Sequence, residues 1–337
     1  MNNNSKWFIV IPPYGAAHIL GKEIYKAFEN ILDKNRIKLF DCSKYLFFFN
    51  NILKNPDQTM AVDLLNQSML TQCIDFKPDH ILVCALSPIT LFILNILKKQ
   101  NINTVHWFYE DYKRALYWKD VLDGYNFFFG IQKGEIKLEC EQKNIKFYYL
   151  PTAASYDFIE LSQNSTQTKN FDVAFIGFAS EYRIEFLEYL YDEGISIIIS
   201  GSGWEGYNGR LKKNIISTNW VNNKEAKSIY QKSKIGINIS FNSPQSNKEN
   251  VQISPRVFDI LASNCVLFTE DIMLAQETLN NLHYYTFSSK EDCLKKIKAV
   301  LNDYDKEKMF FEHNRQEILK NHTYENRVKK IIELCEK

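Results

Sequence analysis

Short apolar runs recur along this chain, each closed by small or polar residues and followed by a helical stretch. In the first half they fall at 7–11 (WFIVI), 38–41, 80–85 (HILVCA), 104–108, 126–130 (NFFFG) and 146–150. Helical patterns separate them at 16–32, 51–76, 88–99 and 133–143, with Leu53, Met60, Leu64, Leu65 and Met69 as expected core positions of the second. Runs this short and this apolar are strands buried on both faces, and strict alternation with helices predicts a parallel, doubly wound α/β sheet. After a polar stretch at 161–170 (LSQNSTQTKN), the expected linker, the alternation restarts. Strands are expected at 172–176, 195–200, 234–240 and 266–268, with 215–218 extended. Helices are expected through Tyr191, at 224–232 with Asn223 as cap, from Ser254, at 289–301, at 306–320 and at 325–335. The chain therefore reads as two Rossmann-like halves of similar size.

Ligands of such sheets bind at the carboxyl ends of the strands, so the residues there carry the functional reading. Gly177 and Ser180 lie in a tight turn after one strand, and Gly201 and Gly203 follow the next. Glycines there let another backbone or a ligand approach closely. In 250–271 (NVQISPRVFDILASNCVLFTED), Ser254 is a good helix N-cap and Pro255 suits the first helical position. Asn264 stands where the helix must end, and Asn tolerates the left-handed conformation such an end often needs. Arg256 in the first turn, beside free N–H groups, suggests an anion site, and Asp259 one turn deeper suits a diol such as ribose. The plain alternative is an ion pair between the two on a solvated helix face. In the first half, His18 opens a helix, and Glu110 and Asp111 end a strand, where carboxylates are well placed for proton transfer. Their alternatives are a structural histidine and a turn or cap.

Composition removes several function classes. Net charge is +1, with 24% charged and 45% hydrophobic residues, so no basic field points to nucleic acid. Seven cysteines are scattered without C-x-x-C spacing, which fits reduced thiols and a cytoplasmic protein. The amino-terminal residues do not read as a signal peptide, and no apolar run approaches the ~20 residues of a spanning helix. The six histidines are isolated, and there is no Walker A motif, metal-spaced cluster or G-x-S-x-G elbow. No metal is expected.

Several segments resemble the CgeB (spore maturation protein) family of glycosyltransferase-like proteins, related to the group 1 glycosyl transferases. Residues 171–204 (NFDVAFIGFASEYRIEFLEYLYDEGISIIISGSGW) are similar to its strand ending in V-G-N, its E-R-x-x-x-L helix and its strand ending in G-x-G-W. YQKSKIGINI at 230–239 resembles its K-I-x-l-N segment, and 254–270 its R-x-F-E-x-x-A-C-G-x-x-x-x-T segment. HTYENR at 322–327 matches its closing H-T-Y-x-x-R, and HWFYEDY at 106–112 is similar to its W-F-x-D-D strand end. Departures are Asp259 for the family's helical Glu, Asn264 for its Gly, and Gly177-Phe178 for Gly-Asn.

The resemblance implies a GT-B fold, two Rossmann-like domains facing a central cleft. An acceptor-binding domain is expected over 1–160 and a nucleotide-sugar-binding domain over 161–321, with 322–337 crossing back to the first. The implied activity is glycosyl transfer from a nucleotide-diphosphate sugar, UDP-sugar favoured, without metal or other cofactor and with retention preferred to inversion. The donor set is Gly177, Ser180, Arg183, Gly201, Gly203, Trp220, Ser254, Arg256 and Asp259. His18, Glu110 and Asp111 serve the acceptor side as catalytic candidates. The acceptor is left open among glycan, lipid-linked saccharide, protein and small molecule, as is peripheral membrane contact. Rival readings are a nucleotide-sugar epimerase and a non-catalytic nucleotide-sugar or glycan-binding protein. His322 and Tyr324 are expected to act in structure.

Overall fold

The computed structural model describes residues 4–45, 58–160, 168–242 and 251–337. The expected helix at 51–57, with Leu53, the linker at 161–167 and the loop at 243–250 lie outside the described residues. The chain divides into two compact units, Met1–Thr152 with Tyr324–Lys337, and Ala153–Thr323.

The first unit runs β1 (Trp7–Ile11), α1 (Gly15–Ile31), β2 (Ile37–Asp41), α2 (Gln58–Phe76), β3 (His80–Cys84), α3 (Leu91–Lys99), β4 (Asn103–Phe108), α4 (Trp118–Val121), β5 (Phe127–Gly130), α5 (Glu135–Gln142) and β6 (Lys146–Tyr149). All its strand pairs are parallel, in the order β2-β1-β3-β4-β5-β6. β1 and β3 are buried along their whole length, as doubly covered strands must be. On α2 the buried stripe is Ala61, Leu65, Met69 and Cys73, four residues apart throughout. Met60, expected in the core, is exposed, because it sits beside that stripe rather than in it. α3 starts three residues later than expected. Pro88 and Ile89 precede the helix, Thr90 is extended, and Asn66 Oδ1 accepts from the N–H of this cap residue at 3.0 Å.

The second unit runs α6 (Tyr156–Ile159), β7 (Phe171–Ile176), α7 (Glu181–Asp192), β8 (Ile197–Ser200), β9 (Ile215–Ser217), α8 (Asn223–Gln231), β10 (Ser233–Asn238), α9 (Arg256–Ala262), β11 (Val266–Glu270), α10 (Met273–Thr278), β12 (Tyr285–Phe287), α11 (Lys290–Asn302), α12 (Tyr304–Glu307) and α13 (Phe311–Asn321). Its six strands are parallel, in the order β12-β11-β10-β7-β8-β9. The cap of α8 is Asn222, not Asn223. Glu225 stands three residues after Asn222, and the two exchange backbone and side-chain bonds as a capping box. The single helix expected over 306–320 is two, broken by a tight turn at Lys308–Phe310.

The final helix, α14 (Tyr324–Cys335), packs on α1 and so belongs to the first unit. Its buried Arg327 donates from Nε to Pro151 O (2.8 Å) and Thr152 O (3.1 Å), fixing the last residues before the chain leaves that unit. Burial lowers this guanidinium to about 10. All seven cysteines are buried and free.

Candidate functional site

In an open parallel sheet, the crevice lies where neighbouring strands send their connections in opposite directions. In the second unit that point is between β7, which leads to β8 and β9, and β10, which leads to β11 and β12. Two turns meet there. Gly177 N donates to Ser200 O (2.9 Å), Ala179 N donates to Ser202 O (3.0 Å), and Trp204 Nε1 donates to Gly177 O (3.0 Å). Gly201 has φ +138°, and a Cβ on it would lie 2.3 Å from Gly177 O. A Cβ on Gly203, at φ +86°, would strike the ring of Phe178. What approaches these two glycines is therefore the protein's own turn after β7.

Ser180 caps α7. Its Oγ accepts from Arg183 N (3.4 Å) and donates to Phe241 O (2.6 Å). Arg183 reaches across the crevice. Nε and Nη2 donate to Ile239 O (3.0 and 2.7 Å), Nη1 donates to Phe178 O (2.9 Å), and the guanidinium lies over the rings of Phe175 and Phe241. Arg183 thus clamps the turn after β7 to the end of β10. Beside it, Glu270 at the end of β11 accepts from Ser240 N (2.7 Å) and Tyr182 Oη (3.0 Å). Burial pushes the Glu270 carboxyl up, and these hydrogen bonds and Arg183 oppose the rise. Glu270 is not among the candidates that the sequence analysis names. Its cue was a carboxylate closing a buried run.

The second part of this edge is α9. Ser254 Oγ accepts from Arg256 N (3.4 Å) and Ser254 O from Val257 N (3.1 Å), while the cap position itself falls on Pro255, which already has helical dihedrals, one residue later than expected. The helix ends at Asn264, φ +53°, in the left-handed conformation expected of it. A helix between parallel strands runs against them, so the first turn of α9, with half-buried Arg256, lies at the carboxyl edge. Asp259 is buried, and its Oδ1 accepts from Ser155 N (3.0 Å). Arg256 and Asp259 both act on Tyr230, whose phenol is buried and raised chiefly by desolvation. Trp220 is 49% exposed after β9, the edge strand two positions from β7. The structure thus gathers Gly177, Ser180, Arg183, Gly201 and Gly203 at the crossover point. Ser254 and Arg256 lie on the same edge, and Trp220 stands apart.

In the first unit the crossover point lies between β1 and β3. His18, in the first turn of α1, places Nε2 3.2 Å from Asp41 Oδ1 at the end of β2. A carboxylate can only accept, so Nε2 carries the proton and Nδ1 is the ring atom left to take another. Asp41 also accepts from Ser43 N (3.0 Å) and Ser43 Oγ (2.6 Å). Sequence reading missed Asp41, which looked only like the last residue of a strand. Glu110 and Asp111 sit in different settings, although the charge of Asp111 adds to the rise of the Glu110 carboxyl. Asp111 Oδ1 accepts from Lys113 N (2.8 Å) and closes a turn. Glu110 is half-buried, and desolvation raises its carboxyl against the pull of Arg114. Among the described residues, no group of three His, Cys, Asp or Glu side chains is arranged to hold a metal, and no helix is long and apolar enough to cross a membrane.

Residues 183–333 match the family described as Glycosyl transferase-like. No curated protein matches the chain at the sequence level. Solved structures share the fold along nearly the whole chain. The sucrose-phosphate synthase of Thermosynechococcus elongatus is 8% identical, with TM-score 0.66 over 98% of each chain. Anabaena HepE, in complex with UDP and glucose, is 11% identical, with TM-score 0.64 over 98% of this chain and 99% of that one. A UDP-forming trehalose-phosphate synthase from Burkholderia xenovorans is 10% identical, with TM-score 0.63 over 97% and 98%. The fold is that of GT-B glycosyltransferases, two α/β units each built on a six-stranded parallel sheet.

Proposed function

We propose, on the premise of a glycosyltransferase enzyme that the family match and the fold support, that this chain transfers a sugar from a nucleoside-diphosphate donor to an acceptor alcohol. The donor is a UDP-sugar, as in the similar structure that holds UDP and glucose. The observation that carries this reading is the carboxyl edge of the second unit. There the amino end of α7 and the Arg256 side chain offer positive charge beside the crossover point. The diphosphate lies against the turn 177–180 and Arg256, which stabilise the charge that grows on the departing UDP. The reaction runs without a metal, because these groups supply that charge. Arg183 positions rather than binds, since its donors are committed to protein carbonyls. Asp259 orders the donor pocket from beneath, and its carboxylate is the group nearest in kind to the ribose-binding acid of the resembled family.

The first unit holds the acceptor. His18, oriented by Asp41, takes the acceptor proton at Nδ1, and half-buried Glu110 borders the same edge. Transfer proceeds with retention, the outcome that the resembled family favours. The test is incubation with UDP-glucose, UDP-galactose and UDP-N-acetylglucosamine in EDTA, with and without sugar and sugar-phosphate acceptors. Acceptor-dependent UDP release, lowered about 100-fold in Arg256→Ala, is expected. An epimerised sugar nucleotide without acceptor, or donor binding with no UDP released under any condition, would overturn it.

A further inference from the structure

Leu86 follows β3 at the crossover point of the first unit and has φ +62°. A bulky side chain in that conformation is strained, and a surface leucine that merely closed a strand would not need it. The conformation is held from inside. Leu86 N donates to Tyr117 Oη (2.8 Å), and Tyr117 Oη lies 3.3 Å from His106 Nε2. His106 Nδ1 lies 2.7 Å from Val83 O, the carbonyl three residues before Leu86. The directions are fixed by chemistry. Val83 O can only accept, so Nδ1 carries the proton and Nε2 accepts from the phenol, which in turn accepts from Leu86 N–H. His106 is fully buried and stacks on Tyr125 at 4.6 Å between ring centres. This internal chain has one outward product, a leucine side chain 41% exposed at the crossover point. Exposed Leu116 adjoins Tyr117, and exposed Phe92 sits in the first turn of α3, the helix that Leu86 leads into.

We propose that Leu86 is an acceptor-specificity residue, which packs against an apolar portion of the acceptor, and that Tyr117 and His106 position it. The proposal rests on the reading of the first unit as the acceptor half. It assigns the acceptor to sugars or alcohols that carry a hydrocarbon or aromatic group.

The test compares binding of octyl β-D-glucoside, below its critical micelle concentration, with methyl β-D-glucoside by ligand-observed NMR, and measures UDP binding by calorimetry in parallel. Glycine adopts φ +62° without strain, so Leu86→Gly keeps the backbone and removes only the side chain. The octyl compound is expected to bind more tightly than the methyl compound to the natural chain, and roughly tenfold more weakly to Leu86→Gly. UDP binding is expected to be unchanged and the melting temperature equal or higher. Tyr117→Phe is expected to weaken octyl binding in the natural chain but not in Leu86→Gly, because its effect passes through that side chain. Equal binding of the two glucosides, or octyl binding that ignores Leu86→Gly, overturns the proposal whether or not UDP binds. Leu86-dependent octyl binding without any UDP binding keeps it and overturns the donor reading instead.

Discussion

Gly201 illustrates how far a single residue can be read. The sequence says that something comes close to it, but only the fold says that this is the carbonyl of Gly177. Gly201→Ala places a Cβ 2.3 Å from that oxygen at a φ of +138°, so stability should fall by roughly 2–4 kcal/mol in chemical denaturation. Arg183 was legible as a member of the donor set that the resemblance implies and illegible as a clamp, because its partners Ile239 and Phe178 lie on different strands' ends. Glu110 and Asp111 are adjacent in sequence and alike in type, yet desolvation raises the carboxyl of Glu110 while Asp111 closes a turn. For Glu110 the sign of its pH effect follows from the raised carboxyl. Between its ordinary value of 4.5 and the raised one, the unfolded chain releases the proton first, so folding stability drops as pH rises through that window. Glu110→Gln should therefore raise the melting temperature near neutral pH and lose that advantage near pH 3, as a pair of pH-dependent melting curves will show.

At the scale of elements, strands were the most legible because a buried parallel strand has an unmistakable run, and every expected strand is present to within two residues at each end. β12 and the short helices α4, α6 and α10 escaped notice because three to six residues carry no period to detect. Helix ends were legible where a side chain enforces them. Asn264 adopts φ +53° as its position after α9 demands. Asn264→Val should cost about 1–2 kcal/mol and Asn264→Gly little, measured by thermal unfolding. They were illegible where tertiary bonds decide, as at Thr90, whose N–H is taken by Asn66 from another helix.

Over the whole molecule, the two-unit plan was visible in the restart of the strand–helix alternation. The path of the chain between units was visible only through the resemblance. The chain passes from the first unit to the second after Thr152 and returns after Thr323. Within the second unit, Ala154 and Thr323 form a parallel bridge and His322 stacks on Phe258. Within the first, Arg327 holds Pro151 and Thr152. Arg327→Leu leaves those buried carbonyls without their donor and should cost about 2–4 kcal/mol in thermal unfolding. The proposed donor site lies in the second unit alone, and the proposal rests its charge on Arg256. The most direct test is a thermal-shift panel of UDP, GDP, ADP, CMP and dTDP in EDTA, on the natural chain and on Arg256→Ala. Ligand at about 100 times its Kd adds about 2.7 kcal/mol to the folded state, a rise of several degrees. The expected result is a rise selective for UDP, unchanged by added Mg²⁺ and lost in Arg256→Ala. No rise with any diphosphate, or one that survives Arg256→Ala intact, would contradict the assignment of the donor site.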